Sequence, residues 1–179
     1  MSLLAVGIDV GKETLVTCSR SSDGLTTDTI SFPNNNSGIK KLIRKLGVDE
    51  DIAILMESTG PYHWQAAKLL SDVYANVRVV NPILSNRMIR QSVRKRKTDK
   101  VDAGHLAFMA SEGYGYLFTE TEDMAKNKAL VRHYWKLKME ASKLLRHETY
   151  LSSYRNLRPT SMSKAILKQC KTLETKIIT

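Results

Sequence analysis

The first half of the chain contains short apolar runs that are typical of strands buried inside a sheet. Residues 3–10 form an almost unbroken run, and residues 52–56 form a second one of the same character. Runs at residues 14–19 and 25–32 follow the first, with turn residues between them, and predict an antiparallel meander. A last short run at residues 77–80 predicts one more strand.

Apolar residues spaced three or four apart predict helices between and after these strands. The predicted helices cover about residues 39–46, 61–73, 83–93 and 98–110. Residues 58–61 are expected to supply the cap and the first turn of the second helix. The order of three meander strands, helix, strand, helix, strand and helices predicts an α/β fold in which helices flank a mixed sheet.

A boundary lies at residues 112–121, and beyond it the apolar positions alternate in steps of three and four. This heptad pattern predicts a long coiled-coil helix, and a second amphipathic helix follows a break at Pro159. The two helices would most simply form an antiparallel hairpin, and pairing with a second copy of the chain fits the same pattern. We therefore predict one domain at residues 1–115 and a helical coiled-coil region at residues 116–179. The apolar positions are Leu130, Tyr134, Leu137, Ala141, Leu144 and Leu151, followed by Met162, Ile166, Cys170, Leu173 and Ile177.

The formal net charge of +10 is concentrated in the second half of the chain. Residues 1–80 carry a net charge of −1, whereas residues 81–110 carry +5 and residues 111–179 carry +6. This asymmetry favours a polyanion such as nucleic acid as the partner, and no apolar run approaches the roughly 20 residues that span a membrane. The N-terminus lacks the features of a secretion signal, so we expect a cytoplasmic protein in which Cys18 and Cys170 are reduced.

Acidic residues end both of the buried strands, Asp9 the first and Glu57 the second. An ionised carboxylate in such a place is costly unless a cation, a metal or several donors meet it. Asp99 and Asp102 are three residues apart and therefore share one face of a predicted helix. Since open α/β sheets place their sites at the carboxyl ends of strands, the four carboxylates can meet there and hold divalent metal ions. On their own, Asp99 and Asp102 fit equally well as acids that complement a helix dipole.

Basic residues surround this pair of aspartates, and the arginines among them recur at near-helical spacing. Such a stripe can follow a phosphate backbone, and solvated surface is the alternative interpretation. His105 is more typical of an ordinary helix-face histidine than of a metal ligand. Tyr62, Trp64 and Trp135 are more typical of core or seam residues than of base-stacking platforms. The candidate nucleic-acid ligands are Lys12, Arg87, Arg90, Arg94, Lys95, Arg96, Lys97 and Lys100.

Four blocks of the sequence resemble a known family, the DEDD transposases of the IS-one-ten group of insertion sequences, which includes the pilin gene-inverting protein. The resemblance covers about residues 3–110, with the blocks in order and sensibly spaced. It implies an RNase H-like fold of the RuvC type, followed by a coiled coil. The blocks are Gly7-Ile8-Asp9-Val10-Gly11-Lys12, Met56-Glu57-Ser58-Thr59-Gly60-Pro61-Tyr62, Val80-Asn81-Pro82 and Lys97-Thr98-Asp99-Lys100-Val101-Asp102-Ala103.

The resemblance implies that Asp9, Glu57, Asp99 and Asp102 are the catalytic carboxylates and bind Mg²⁺ or Mn²⁺. It further implies DNA strand cleavage and transfer and a structured guide RNA. From the heptad pattern we expect a homo-oligomer formed through the coiled coil. Members of the family continue into a C-terminal domain that supplies a serine nucleophile, whereas this sequence stops at the end of the coil. We therefore expect the N-terminal part of a recombinase, which does not complete recombination alone.

Two other functions compete with this interpretation. A module that binds nucleic acid without chemistry would use the basic face and the coil, with its carboxylates only capping and pairing. The run from Gly7 to Lys12 also resembles the first phosphate loop of the actin and sugar-kinase superfamily. That fold needs a second related domain with its own glycine-rich loop, and the sequence contains neither.

Overall fold

The computed structural model describes residues 3–47, 51–92 and 99–152, with residues 164–165, 168–169, 171–172 and 175. Within these residues, six strands form one sheet with helices on both faces. The strands are β1 (Leu3–Val10), β2 (Thr14–Ser21), β3 (Ile30–Pro33), β4 (Ala53–Glu57), β5 (Val77–Val80) and β6 (Tyr116–Leu117). The helices are α1 (Asn36–Leu46), α2 (Tyr62–Ser71), α3 (Pro82–Ser92), α4 (Asp99–Ser111) and α5 (Glu122–Ser152).

The sheet has the order β3-β2-β1-β4-β5-β6 and mixes strand directions. β1, β2 and β3 form the predicted antiparallel meander, β4 and β5 are parallel to β1, and β6 is antiparallel to β5. The apolar runs of β1 and β4 therefore lie at the centre, where both faces are covered. The predicted mixed sheet flanked by helices is confirmed.

Residues on alternate positions of the central strands divide between two cores. Ile8 and Met56 belong to the core beneath α1 and α2, together with Ile39 and Leu70 from those helices. The other face is covered mainly by α4, which buries a second core containing Leu55. Because side chains alternate along a strand, Asp9 and Glu57 point to the α4 face.

α4 crosses β1 in the opposite direction to the strand. Its Ala103 lies against Gly7, while Met109 and Ala110 share a core with Ala5. The first turn of α4 is therefore at the carboxyl end of β1, beside Asp9. The direction of this helix brings its acidic start to the acidic ends of the strands.

One local prediction was wrong in its bounds, and two others gain detail. The third strand was predicted over residues 25–32 but begins at Ile30, because the N–H of Ser19 donates to the side chain of Thr27 instead of to a main-chain carbonyl. The predicted boundary at residues 112–121 contains the division between two compact units, after Thr119, and also the short strand β6, which extends the sheet. The N-cap of α2 is Pro61, one of the predicted residues 58–61, and it makes no side-chain capping bond.

The chain divides into two compact units, Met1–Thr119 and Glu120–Thr179. In the second unit, α5 confirms the long helix, and Ala141 of the predicted seam is buried. Trp135 is 54% exposed in the single chain, and its place in a coiled-coil seam stays a prediction. An open cavity of about 460 Å³ is lined by Leu137 of α5 and by residues 165, 168, 169 and 172. The hairpin and the pairing of two chains stay predictions, and none of the described helices is long and apolar enough to cross a membrane.

Candidate metal and nucleic-acid site

The ends of β1 and β4 place two carboxylates side by side. The two strands are parallel and pair Ile8 with Met56, so the next residues are Asp9 and Glu57. Both are half-buried and lie on neighbouring strands, which are about 4.8 Å apart in a sheet. The adjacency of Asp9 and Glu57 that the sequence predicted is present.

α4 brings a third carboxylate to this edge of the sheet. Asp102 is half-buried in the first turns of α4 and precedes Ala103, the residue that lies against Gly7. Asp99 is the first residue of the helix, and its side chain lies outside the described part of the structure. Among the side chains that are described, no three from His, Cys, Asp and Glu are close enough together to hold one metal ion.

Glu57 has a partner that sequence reasoning missed. The hydroxyl of Ser85, a fully buried residue of α3, donates a 2.5 Å hydrogen bond to Oε1 of Glu57. One sequence feature could have indicated this contact. Ser85, four residues after Asn81, is a polar residue on the inward side of an otherwise amphipathic helix. The contact defines the environment of one carboxylate oxygen.

Hydrogen bonds fasten the ends of β4 and β5 to each other. Both the N–H and the hydroxyl of Ser58 donate to the carbonyl of Val80, at 2.9 and 3.1 Å. Immediately afterwards, the side chain of Asn81 accepts the N–H of Ile83 at 2.9 Å and so starts α3. Short-range bonds thus determine where Glu57 and α3 stand relative to each other.

A second set of bonds holds the loops on the other side of the strand ends. The side-chain amide of Asn34 donates to the carbonyl of Gly11 at 2.9 Å and to that of Tyr62 at 3.1 Å. It therefore joins the turn after β1 to the start of α2. Lys12 is exposed in the joined turn, next to the end of the strand that carries Asp9.

The basic candidates are only partly described. Arg87 is exposed on α3, and Lys12 is exposed beyond β1. Arg90 lies in α3 and Lys100 in α4, with side chains outside the described part. The candidates at positions 94–97, which are Arg94, Lys95, Arg96 and Lys97, lie outside the described residues.

Three further residues discussed from the sequence are His105, Trp64 and Tyr62. His105 is half-buried one turn after Asp102 and belongs to no described metal-binding cluster. Trp64 is half-buried, whereas Tyr62 is 40% exposed at the start of α2, so its assignment to the core was wrong.

The chemistry of the donors fits a magnesium or manganese ion. Asp9, Glu57 and Asp102 supply only carboxylate oxygens, which are the ligands that these hard cations prefer. Two of the three stand on neighbouring strands, and the third comes from the helix packed over them. The donor type therefore agrees with a divalent cation, although the three described side chains do not converge closely enough in this structure to hold one ion.

The mixed sheet, with its antiparallel meander and parallel strands flanked by helices, defines an α/β protein. The family model for IS110-type DEDD transposases, described as a transposase, matches residues 6–154. The chain belongs to this transposase family, as its sequence blocks indicated. No curated protein is significantly similar to it in sequence.

Solved structures of RuvC from Thermus thermophilus are similar to this chain. RuvC in complex with a Holliday junction substrate has a TM-score of 0.44 and 12% identity, covering 64% of this chain and 98% of that chain. A second structure of Thermus thermophilus RuvC has a TM-score of 0.40 and 13% identity, covering 62% of this chain and 97% of that chain.

Proposed function

We propose that this chain is the metal-binding catalytic domain of a DNA transposase or site-specific recombinase. The observation that carries the proposal is the placement of Asp9 and Glu57 on neighbouring strands beneath the first turns of α4, which carries Asp102. Family membership supports an action on DNA. The activity is strand cleavage and transfer that depends on Mg²⁺ or Mn²⁺.

In this proposal Asp9, Glu57, Asp99 and Asp102 hold the metal. The ion would polarise the scissile phosphate and lower the pKa of the attacking hydroxyl. The half-buried positions of Asp9, Glu57 and Asp102 strengthen their electrostatic interaction with a bound cation, because water screens it less. Lys12 and Arg87 are exposed cations that would neutralise the phosphates on either side of the scissile bond.

Metal-dependent stability tests this proposal. Millimolar Mn²⁺ should raise the thermal unfolding temperature, because a ligand at 100 times its Kd stabilises the folded state by about 2.7 kcal/mol. The double variant Asp9→Asn, Asp102→Asn should lose this shift. Glu112→Gln, which alters an exposed carboxylate at the far end of α4, should keep it. An unchanged unfolding temperature of the parent protein in Mn²⁺ would contradict the proposal.

A second candidate function is binding of nucleic acid without chemistry. It is favoured by the finding that no three described acidic, histidine or cysteine side chains form a metal-binding group. Salt-dependent DNA binding would then survive replacement of all four proposed carboxylates by their amides. Loss of metal-dependent DNA nicking with retained binding would instead support the catalytic proposal.

The partners of the full reaction are part of the same proposal. We expect a structured guide RNA, pairing of two copies through α5 and a cytoplasmic location. These expectations rest on the family resemblance and on the basic second half of the chain. Copurified RNA, released from the protein by salt and sequenced, would test the first of these. Sedimentation of the full chain would test the second, with a monomer at micromolar concentration contradicting it.

A further inference from the structure

Ser85 occupies a place where a hydroxyl is otherwise hard to explain. Its residue surface is 0% exposed, and its neighbour Met88 packs against the core beneath α4. A buried hydroxyl costs free energy unless it is hydrogen-bonded. The Oγ atom has two acceptors within reach, Oε1 of Glu57 at 2.5 Å and the carbonyl of Pro82 at 3.1 Å.

The carboxylate is the better acceptor of the two. A hydroxyl has one proton to donate, and hydrogen bonds to an ionised oxygen are shorter and about twice as strong as neutral ones. The bond to Pro82 is the ordinary contact of a helical serine with an earlier carbonyl of its own helix. The bond to Glu57 instead joins α3 to the end of β4.

The backbone around Ser85 is fixed on both sides. Asn81 accepts the N–H groups of Leu84 and Ser85 on its carbonyl, at 2.9 and 3.2 Å. Ser58 ties the end of β4 to the end of β5, from which α3 starts. Separate sets of hydrogen bonds therefore hold Ser85, the donor, and Glu57, the acceptor. Because both residues are held in this way, the contact between their side chains constrains the rotamer of Glu57.

We propose that Ser85 is a positioning residue, which orients the Glu57 carboxylate for a divalent cation. This inference rests on the proposed function. The hydroxyl engages one lone pair of Oε1 and leaves Oε2 and the second lone pair of Oε1 to a metal. Groups that hydrogen-bond to metal-ligating carboxylates typically contribute 10- to 100-fold in metal affinity.

Titration of the full chain with Mn²⁺, followed by electron paramagnetic resonance of the free ion, tests the inference. Ser85→Ala should weaken Mn²⁺ binding by about 10-fold. Ser85→Thr, which retains the hydroxyl, should restore most of the affinity, and Ser85→Cys, a weaker donor, should lie between the two. If the alanine variant folds poorly, the cysteine variant still tests the role of Ser85.

Thr17→Val is the matched control. Thr17 is 5% exposed, and its hydroxyl donates to the carbonyl of Ile30 at 3.1 Å. It pairs with Ile8 on β1, so it points to the face opposite the carboxylates. This variant loses a buried hydroxyl bond and should be destabilised, but its Mn²⁺ affinity should equal that of the parent.

The outcomes separate the inference from the proposed function. A parent protein that binds no Mn²⁺ overturns both. A parent that binds Mn²⁺ with the same affinity as Ser85→Ala overturns only the role of Ser85. Equal destabilisation of Ser85→Ala with and without Mn²⁺ would show a purely structural hydroxyl and would likewise overturn it.

Discussion

Gly7 of β1 and Ala103 of α4 lie so close together that no side chain fits at position 7. A Cβ atom on Gly7 would be 2.2 Å from the carbonyl oxygen of Ala103 and 2.1 Å from the amide nitrogen of Ala107. Backbone packs directly on backbone at this point. The contact determines how far Asp102 stands above the strand that carries Asp9.

Gly7→Ala should therefore destabilise the protein strongly, by about 3 kcal/mol, because overpacking against rigid backbone forces the helix to move. Chemical denaturation measures the free energy of unfolding. Gly104→Ala is the control, since its new Cβ would meet only the sulfur of Cys18 at 4.0 Å. That variant should be as stable as the parent or gain up to about 1 kcal/mol from helix propensity. Equal stability of both variants would refute the tight contact.

Gly115 anchors the short strand β6 on the sheet. Its φ angle is +83°, and a Cβ atom would be 2.6 Å from the side chain of Leu55 and 2.8 Å from the carbonyl of Val79. Gly115→Ala should cost about 2 to 3 kcal/mol, because backbone strain and overpacking add. Gly113→Ala has a similar φ of +75° with nothing within 4 Å, so it should cost only about 1 kcal/mol. Thermal unfolding of the two variants isolates the contribution of the steric clash.

Tyr74 contacts Gly47, the residue that follows α1. It is almost fully buried, and its hydroxyl donates to the carbonyl of Gly47 at 2.5 Å. Tyr74→Phe should lose about 1 kcal/mol of stability, because one hydrogen bond is removed while the ring remains. Urea denaturation should show a lower midpoint with an unchanged slope. Tyr114→Phe, at an exposed ring, should leave the midpoint where it is.

The thiol of Cys18 should be unreactive in the folded protein. Burial, and to a smaller extent the negative charge of Asp28, raise the pKa of this thiol above its ordinary value. In a Cys170→Ser background, iodoacetamide at pH 8 should modify Cys18 far more slowly than in urea. Equal rates in the two conditions would contradict the burial of the thiol.

The same shift predicts the sign of a pH dependence. Because the pKa is raised in the folded state, the unfolded chain loses its thiol proton first as the pH rises. The stability that Cys18 contributes is complete below the ordinary thiol pKa and is lost above it. The difference in unfolding free energy between the parent and Cys18→Ala should therefore shrink between neutral and alkaline pH.

The central strands could be predicted from the sequence, because a strand that is buried on both faces is an almost continuous run of apolar residues. The runs of β1 and β4, and the acidic residue that ends each of them, are visible in the order of the amino acids alone. α4, which is described from Asp99 onward, also matches the helix predicted for about residues 98–110. These features depend on local pattern and on the rules for strand ends.

Features that depend on contacts between distant residues were not predictable in this way. The hydroxyl of Ser85 looks like any helical serine until α3 is packed against β4. The strand β6 has only two residues, and its pairing with β5 depends on the close approach of Gly115 to Val79. Likewise Ser58 resembles a helix cap in sequence, but its hydroxyl is used to join two strands.

The antiparallel packing of α4 on β1 has a consequence for biosynthesis. The first strand of the domain is covered by its last helix, so the surface around Gly7 stays open until the chain beyond Ser111 has left the ribosome. Contacts this distant in sequence form late, because a long loop must close first. A chain that is terminated after β4 and before α4 carries Asp9 and Glu57 without Asp102, and it therefore lacks the complete set of carboxylates proposed to act on DNA.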